Sequence, residues 1–290
     1  MNRGWLLVLL FVLVITGVSA RTYRASGLVL GIDPAHRALE VSCQAIPGYM
    51  DAMNMTISVH DGKVLESLKP GMSIEFKLNV HGAKVFADDI RIEKYENPAQ
   101  EPMAARQLEI LDAATTPPPH VPPLQLGQVV PDFTLIDQNR QKVRLSEFAG
   151  KVVAITFIYT RCPLPNFCFR MSSNFSVLDR RFADRMGKDL VLMSITFDPE
   201  HDTPEALADY AQTWTKDTTG WHFLTGPSAA VQSACTAFGV TAWQDEGLMT
   251  HSLHTVIVDR RGRMAANLEG NAYTAKQLGD LVEAVIRRGD

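Results

Sequence analysis

Two cysteines that lie close together are the residues best suited to chemistry. Cys162 and Cys168 stand in the stretch YTRCPLPNFCFRMS, between a very apolar run and an amphipathic one. Their C-x5-C spacing is neither the C-x-x-C of thioredoxin-type redox motifs nor a standard zinc spacing. The spacing alone leaves electron exchange, metal binding and a structural disulfide as alternatives.

The position of the first cysteine favours a reactive thiol. Cys162 follows a buried strand and precedes a helix, where backbone N–H groups and the helix dipole favour a thiolate. On one helix, two cysteines six residues apart would lie about 240° apart around the axis. Pro163 and Pro165 prevent this because they keep Cys162 in an extended loop. The helix then begins near Asn166, and Cys168 in its first turn faces back toward the loop.

A third metal ligand is predicted from the stretch MTHSLHTVIVDRRG. A histidine at the entry of the HTVIVD strand lies at the end of the sheet, where the loop after the first strand also comes. His251 and His254 are an odd number of residues apart, so an extended chain directs them to opposite faces, and we choose His251. Two thiolates and one imidazole form a soft site suited to Cu(I), and to Cu(II) when another group completes a tetragonal arrangement.

A second group of soft donors lies upstream, in the stretch SCQAIPGYMDAMNMTI. Met50, Met53 and Met55 fall within six residues, and Cys43 precedes them. Met53 and Met55 share one face of a strand, and thioether sulfur is a weak ligand that prefers Cu(I). The alternative is that these methionines fill the core of a small barrel.

Length and composition limit the class of protein. The chain has 290 residues, of which 46% are hydrophobic and 21% charged, which is enough for one large or two modest domains. Its formal net charge is -4. No cluster of lysine and arginine alternates with aromatic residues, so we expect no nucleic-acid partner.

Residues 1–20 have the pattern of a signal peptide. Arg3 is followed by an apolar run and the small-residue sequence VSA, so the mature chain would begin near Arg21. The alternative is an uncleaved N-terminal anchor that associates the protein with the membrane. In both cases we expect a periplasmic or other extracytoplasmic location, where disulfides persist and soft metals are handled.

The composition divides the rest of the chain into three parts. Residues 21–97 show period-2 alternation broken by turn dipeptides, which predicts a small all-β barrel. Residues 98–127 form a proline-rich linker that should act as a semi-rigid spacer. Residues 128–290 alternate strands and helices, which indicates an α/β domain around a mostly parallel sheet.

Several elements of the large module can be predicted individually. DFTLIDQNRQKVRL indicates a hairpin, and KVVAITFIYT and DLVLMSITF indicate buried parallel strands. DTPEALADYAQTW predicts a helix with Asp202 as N-cap and Pro204 in its first turn. SNFSVLDRRFADRM places four apolar residues on one helical face, namely Phe175, Leu178, Phe182 and Met186.

Four stretches of the large module follow, in order, the pattern of one known family. They are VPDFTLIDQNRQKVRLSEFAGKVVAITFIYTRCP, DPEHDTPE, FGV and HSLHTVIVDRRG. Through them the chain resembles the Sco/SenC family of thioredoxin-fold copper proteins over essentially all of 128–290. The resemblance implies a thioredoxin-like fold and a role in assembling the copper centre of cytochrome oxidase, by copper delivery, thiol reduction or both. A client such as a cytochrome oxidase subunit is therefore expected.

The same resemblance implies a set of site residues. In the family two cysteines and a later histidine bind copper, and by position these are Cys162, Cys168 and His251. Asp198 falls on the acidic residue of the D-P-x-x-D-T-P stretch, where it orients the site or begins a turn. The usual family spacing is C-x3-C, so C-x5-C is a departure that should loosen the loop and change copper affinity or disulfide strain.

The small module resembles a second family. IPGYMDAMNM followed by VLESLKPGMSIEF is similar to the CusF-like periplasmic copper-binding barrels, over most of 25–95. The resemblance implies metal binding by the methionines, with Cys43 in the family's histidine position. A thiol there would strengthen Cu(I) binding but would be open to oxidation.

A copper chaperone is the leading interpretation, and two enzymatic alternatives stay open. One is a thiol-disulfide oxidoreductase in which Cys162 attacks and Cys168 resolves, with copper incidental. The other is a peroxiredoxin-like peroxidase. Cys235, on the apolar face of its helix, is interpreted as a buried inert thiol. No role is assigned to four histidines, namely His60, His81, His120 and His254.

Overall fold

The computed structural model describes residues 21–82, 84–93, 123–245 and 248–289. The predicted signal segment 1–20 and residues 98–122 of the predicted linker lie outside the described residues. Among the residues that are described, no helix is long and apolar enough to cross a membrane. The described chain forms a small barrel followed by a larger α/β domain.

The N-terminal unit is a closed barrel whose described strands pair in the order β1-β2-β3-β5-β4. They are β1 (Arg21–Asp33), β2 (Ala38–Cys43), β3 (Met53–Val59), β4 (Ser73–His81) and β5 (Lys84–Ile92). Leu39 and Val41 of β2 are fully buried inside, whereas Glu40 between them is only part-buried. Closure leaves no free sheet edge, which suits a module with a thin core. The predicted all-β barrel is confirmed.

The larger unit is a sheet flanked by helices, and its described strands lie in the order β14-β13-β8-β9-β10-β6-β7. The strands are β6 (Thr134–Asp137), β7 (Lys142–Arg144), β8 (Val152–Ile158), β9 (Leu190–Thr196), β10 (Trp221–Thr225), β13 (His254–Val258) and β14 (Met264–Glu269). A separate hairpin pairs β11 (Ala242–Asp245) with β12 (Leu248–His251). The helices are α1 (Arg170–Arg181), α2 (Pro204–Trp214), α3 (Ser228–Ala237) and α4 (Ala275–Arg287).

The two long apolar runs form the centre of this sheet. β8 and β9 are parallel, and every residue of both strands is buried. Burial on both faces explains why their sequences are continuously apolar rather than alternating. β13 runs antiparallel to β8, with Thr255 opposite Thr156, so the start of β13 lies beside the end of β8. The predicted thioredoxin-like α/β domain is confirmed, but its sheet is mixed instead of mostly parallel. Among the described strands only β8–β9 and β9–β10 pair in parallel, and the pairs β14–β13, β13–β8, β10–β6 and β6–β7 are antiparallel.

Helix α1 is shorter than its apolar pattern predicts. Phe175 and Leu178 are fully buried on its inner face, as expected. The helix ends at Arg181, however, and Phe182 has φ -109° and ψ 23°. Phe182 is buried and Met186 packs on the core from the loop that follows. The apolar residues therefore extend beyond the end of the helix, because the loop after it packs on the same core.

The predicted N-cap of α2 is wrong by one residue. Thr203 is the cap, and its Oγ1 accepts a hydrogen bond from the Ala206 N–H. Pro204 is the first helical residue, as predicted. Asp202 is fully buried, and its carboxylate accepts from the hydroxyls of Thr160 and Thr196, each at 2.5 Å. Asp202 thus joins the ends of β8 and β9 instead of capping the helix.

Helix α4 docks the barrel onto the larger domain. Leu28 and Leu30 of β1 belong to the same buried cluster as the α/β core. Ser42 Oγ of β2 donates to Asp280 Oδ2 at 2.7 Å, and Gln277 Nε2 donates to the Ser42 carbonyl at 3.2 Å.

The other end of α4 makes charged contacts with the same two strands. Arg287 donates to Glu40 Oε1 at 2.7 Å, and Arg288 donates to Glu40 Oε2 at 3.2 Å and to the Leu30 carbonyl at 2.7 Å. The N-terminal end of α4 therefore faces Ser42, and its C-terminal end faces Glu40.

Candidate metal centre

The thiol loop, Tyr159–Phe169, connects β8 to α1. Cys162 lies in a turn in which its N–H bonds the Tyr159 carbonyl at 3.4 Å. Pro165–Phe169 forms a wide π-type turn with a non-helical break at Phe167 (φ -109°, ψ -112°), and the regular helix begins at Arg170. The regular helix therefore begins four residues later than the predicted start near Asn166, and Cys168 lies just before α1 instead of in its first turn.

The loop brings the two thiols and one histidine into contact. The thiol of Cys168 hydrogen-bonds Cys162, which also contacts His251. Cys168 Sγ lies 3.9 Å from His251 Nε2. Cys168 is 1% exposed, and Cys162 is half-buried. All four cysteines of the chain lie in the described part and are free thiols.

The two thiols have opposite ionisation tendencies. The hydrogen bond from Cys168 lowers the pKa of Cys162, and this effect exceeds the opposing effect of burial. Burial raises the pKa of Cys168, and the neighbouring Cys162 raises it further. The resulting pair is a thiolate at Cys162 that accepts a hydrogen bond from a neutral thiol at Cys168. A half-buried nucleophile and a fully buried partner thus differ in their surroundings.

His251 reaches the thiols from the β11–β12 hairpin, not from β13 itself. Its Nδ1 lies 3.0 Å from the Ser252 carbonyl, which leaves Nε2 to face Cys168. The ring is buried and packs against Phe197, with ring centroids 4.4 Å apart. His254 instead begins β13, where its Nδ1 contacts Asn267 Oδ1 at 3.0 Å. The structure places the two histidines in different environments.

The donor set fits a soft, low-coordinate metal. Two sulfurs and one imidazole nitrogen are the donors that Cu(I) accepts most readily. The ring contact with the Ser252 carbonyl holds the imidazole in place, as the outer contacts of metal-bound histidines do. Among the described residues, no three histidine, cysteine, aspartate or glutamate side chains are already arranged around one ion position. The metal would have to draw Cys162, Cys168 and His251 from mutual contact into a coordination sphere.

Asp198 supports the thiol loop without touching the thiols. Its carboxylate accepts from Arg161 at 2.7 Å and contacts His201 Nδ1 at 2.8 Å. Burial raises the pKa of Asp198, but the bonds from Arg161 and His201 outweigh it, so the pKa lies below its ordinary value. The ionised carboxylate holds Arg161, the residue before Cys162.

Sequence reasoning missed a second carboxylate behind the loop. Asp202 binds both the backbone N–H and the hydroxyl of Thr160, two residues before Cys162. Burial raises the pKa of Asp202, although the bonds from Thr160 and Thr196 act in the opposite direction. The second aspartate of DPEHD was the available signal, but its spacing suggested a helix cap.

In the barrel, the predicted donors lie at one end of β2 and β3. Cys43 is the cross-strand partner of Met53, and Met55 is two residues further along the same face. Such opposed residues have Cβ atoms about 5 Å apart. Met50 lies between the strands, where it bridges Ile46. Cys43 is 1% exposed and Met53 is 48% exposed. The strand register therefore places a buried thiol opposite a solvent-exposed thioether.

Burial has a clear effect on the barrel thiol. It raises the pKa of Cys43 to about 12, which the nearby Lys276 ammonium only partly offsets. The thiol is therefore neutral unless a metal replaces its proton. Cys235 is also buried, which raises its pKa to about 12, and it lies on α3 outside both donor groups.

Comparison with known proteins decides the family of the larger domain. Residues 122–287, more than half of the chain, match the family model described as SCO1/SenC. The chain belongs to the SCO1/SenC family. Residues 22–85 match a second model, described as copper binding periplasmic protein CusF. Both resemblances inferred from the sequence motifs are confirmed, and copper is the metal that the second description names.

Individual relatives of this SCO1/SenC protein are distant. It is 27% identical over 141 residues to Protein sco1 of Schizosaccharomyces pombe, covering 45% of this chain and 51% of that protein. It is 31% identical over 103 residues to the SCO1 protein homolog of Bacillus subtilis, covering 36% of this chain and 52% of that protein. The chain thus spans about half the length of these relatives.

The fold has also been solved in a related protein. A SCO1/SenC family lipoprotein from Bacillus anthracis superposes with a TM-score of 0.50 at 22% identity. The match covers 57% of this chain and 98% of the solved chain. At this identity the likeness shows the fold of the larger domain alone.

Proposed function

We propose that the protein is a copper chaperone in which the barrel captures Cu(I) and the thioredoxin-like domain holds it between Cys162, Cys168 and His251. The observation that carries the proposal is the contact of these three side chains in a domain of the SCO1/SenC family. The match of the barrel to a copper-binding family supports a second site in the same chain. A shared chain raises the effective concentration of one site near the other.

The residues of the larger domain suggest how copper would be held as cargo. Cu(I) would replace the thiol proton of Cys168, whose burial otherwise keeps it neutral, so loading should release a proton. Cys162 supplies a thiolate that is already ionised and part-exposed, and it is therefore the entry ligand. Phe197 and the other aromatic rings around His251 limit water at the site.

The client and the location form the finer part of the proposal. We propose that the copper serves a cytochrome oxidase subunit, as the Sco resemblance of the larger domain implies, and that the chain works in the periplasm. The periplasmic description of the family matched by the barrel supports this location. The N-terminal apolar run provides either a cleaved signal or a membrane anchor.

The direct test is a Cu(I) titration of the full chain against a competing chelator. Wild type is expected to hold more copper than the Cys162→Ser/Cys168→Ser variant, because the variant keeps the barrel donors only. Cys235→Ser is the matched control, since it removes a buried thiol outside both donor groups. Equal copper content in wild type and the double variant would show that the site in the larger domain is wrong.

A second function is favoured by the unequal thiols. In a thiol-disulfide oxidoreductase, the Cys162 thiolate attacks one sulfur of a client disulfide and releases the other as a thiolate. Cys168 then loses its proton and attacks the mixed disulfide, so that Cys162 and Cys168 are oxidised to a disulfide and the client is reduced. Trapping of a client-like disulfide by Cys168→Ser, together with a reduction potential in the periplasmic range, would favour this function over copper transfer.

A further inference from the structure

The thiol loop is held from outside by the segment that precedes α4. The Asn271 side-chain amide donates to the carbonyl of Asn166, between the two cysteines. Directly after the loop, the first residue of α1, Arg170, donates to the Tyr273 carbonyl at 3.3 Å. Neither contact involves a proposed metal ligand or the carboxylates of Asp198 and Asp202. They attach the second half of the loop and the start of α1 to one short stretch of chain.

The same stretch leads directly to the barrel. Thr274 caps α4, and Gln277, in the first turn, donates to the Ser42 carbonyl next to Cys43. The bridging segment, Asn271–Gln277, therefore touches the thiol loop at one end and the barrel at the other. Its seven residues can span at most about 20 Å. A residue of the thiol loop and a neighbour of Cys43 are therefore joined through one short segment.

The loop itself has few means of holding its shape. Pro163 and Pro165 have no N–H to donate, and Phe167 interrupts the helical backbone. Leu164 and Phe169 are 43% and 55% exposed, so burial contributes little to their placement. A loop with five residues between its cysteines therefore depends on contacts from neighbouring segments. Asn271 supplies the contact nearest its centre.

We propose that Asn271 is a positioning residue that keeps Cys162 and Cys168 together, and that docking of the barrel on α4 supports this geometry through the bridging segment. The barrel thus acts on the thiols of the larger domain without contributing a ligand to them. Supporting contacts of this kind commonly determine how well a functional group is placed. The inference concerns the free thiols and goes beyond the proposed copper function.

The first test measures the alkylation rate of Cys162 in the copper-free, reduced full chain at fixed pH. Asn271→Asp removes the donor but adds a charge, whereas Asn271→Leu removes it without one. Loss of one hydrogen bond is expected to change the rate about fivefold, in the same direction in both variants. Asn271→Ser keeps a donor and should fall nearer to wild type. Asn267→Asp, on β14 and away from the loop, is the matched control. An unchanged rate in folded Asn271→Asp overturns the positioning role.

The second test weakens the contact between the barrel and the C-terminal end of α4, at residues outside the bridging segment. Glu40→Lys places a cation against Arg287 and Arg288, and Glu40→Lys/Arg287→Glu restores an opposite-charge pair. We expect Glu40→Lys to change Cys162 alkylation in the same direction as Asn271→Asp, and the charge swap to reverse most of the change. In the Asn271→Asp background, Glu40→Lys should have little further effect.

Two outcomes overturn the dependence on docking. One is an unchanged rate in Glu40→Lys, and the other is full additivity of Glu40→Lys with Asn271→Asp. Because the assays contain no copper, failure of the copper proposal leaves them informative. Conversely, a normal copper titration with unchanged alkylation in both variants would reject only the inference about Asn271 and the barrel.

Discussion

Cys168 Sγ and His251 Nε2 lie 3.9 Å apart although 83 positions separate them in the sequence. The buried thiol stands at the start of α1, and the imidazole comes from the β11–β12 hairpin. Cys162 is the third member of the site. Its pKa is lowered by its neighbours, whereas the pKa of Cys168 is raised by burial. This arrangement provides two soft sulfurs and one nitrogen at the edge of a thioredoxin-like sheet.

Substitution of His251 should weaken copper binding more than it changes folding. His251→Ala removes one donor and leaves both thiols, so we expect the Cu(I) affinity of the larger domain to fall about 10- to 100-fold. A chelator competition measures the change, and thermal unfolding of the copper-free protein checks the fold. His254→Asn is the control, because that ring contacts Asn267 instead of the thiols. An equal loss in both variants would argue against a specific role for His251.

The alkylation of Cys162 should persist at acidic pH. Because Cys168 and His251 lower its pKa, Cys162 remains a thiolate below the pH at which an ordinary thiol is protonated. We expect iodoacetamide to modify Cys162 far faster than Cys168 at pH 6. In Cys168→Ala the S–H donor is lost, so the pH profile of Cys162 should move upward. Mass spectrometry of the peptides gives both rates, and a profile centred near 8.5 in wild type would contradict the assignment.

Protonation of Asp280 at low pH should lower the free energy of unfolding. Burial opposes its charge, but bonds from Lys276, Ser42 and Arg181 outweigh this and lower its pKa. A folded pKa below the unfolded one gives a stabilisation that is present above the unfolded pKa, about 3.9, and is lost as the pH falls through the folded pKa.

Asp280→Asn should therefore destabilise the protein at pH 7 by about 1–3 kcal/mol and have a smaller effect near pH 3. Denaturant unfolding at both pH values measures the difference. Glu283→Gln is a matched control on the same helix, because Glu283 pairs only with Arg185 at a more exposed position. A loss of the same size at both pH values would contradict the pKa direction.

Met53 of the barrel should contribute more to Cu(I) binding than to the stability of the fold. Met53 is 48% exposed and lies opposite Cys43, so Met53→Leu keeps most of the apolar volume but removes the sulfur. We expect a lower Cu(I) content in the Cys162→Ser/Cys168→Ser background, with thermal unfolding nearly unchanged. Unchanged copper content would support the view that the methionines only fill the core.

Much of the fold was predictable because its signals are local. The continuous apolar runs of β8 and β9 match their burial on both faces, and the alternation along β4 matches its alternately buried and exposed side chains. The contact between the cysteines also followed from local chemistry, since the prolines prevent a regular helix between them. The exact start of α1 did not, because the wide turn at Pro165–Phe169 depends on contacts with other parts of the chain.

The contacts that depend on distant partners could not be predicted. Asp202 matches a helix cap in sequence, and only the closeness of Thr160 and Thr196 draws its carboxylate inward. Asn271 has no local pattern, and its role depends on where the end of β14 meets the thiol loop. The docking of Ser42 on Asp280 joins residues 238 positions apart.

X-ray absorption at the copper edge would show directly whether Cys162, Cys168 and His251 bind copper. The sample is the full chain carrying Cys43→Ser and Met53→Leu, loaded with one equivalent of Cu(I), so that the barrel donors do not dominate the spectrum. We predict two sulfur ligands and one nitrogen ligand, with the nitrogen lost in a further His251→Ala substitution. A spectrum without sulfur ligands, or one that His251→Ala leaves unchanged, would contradict it.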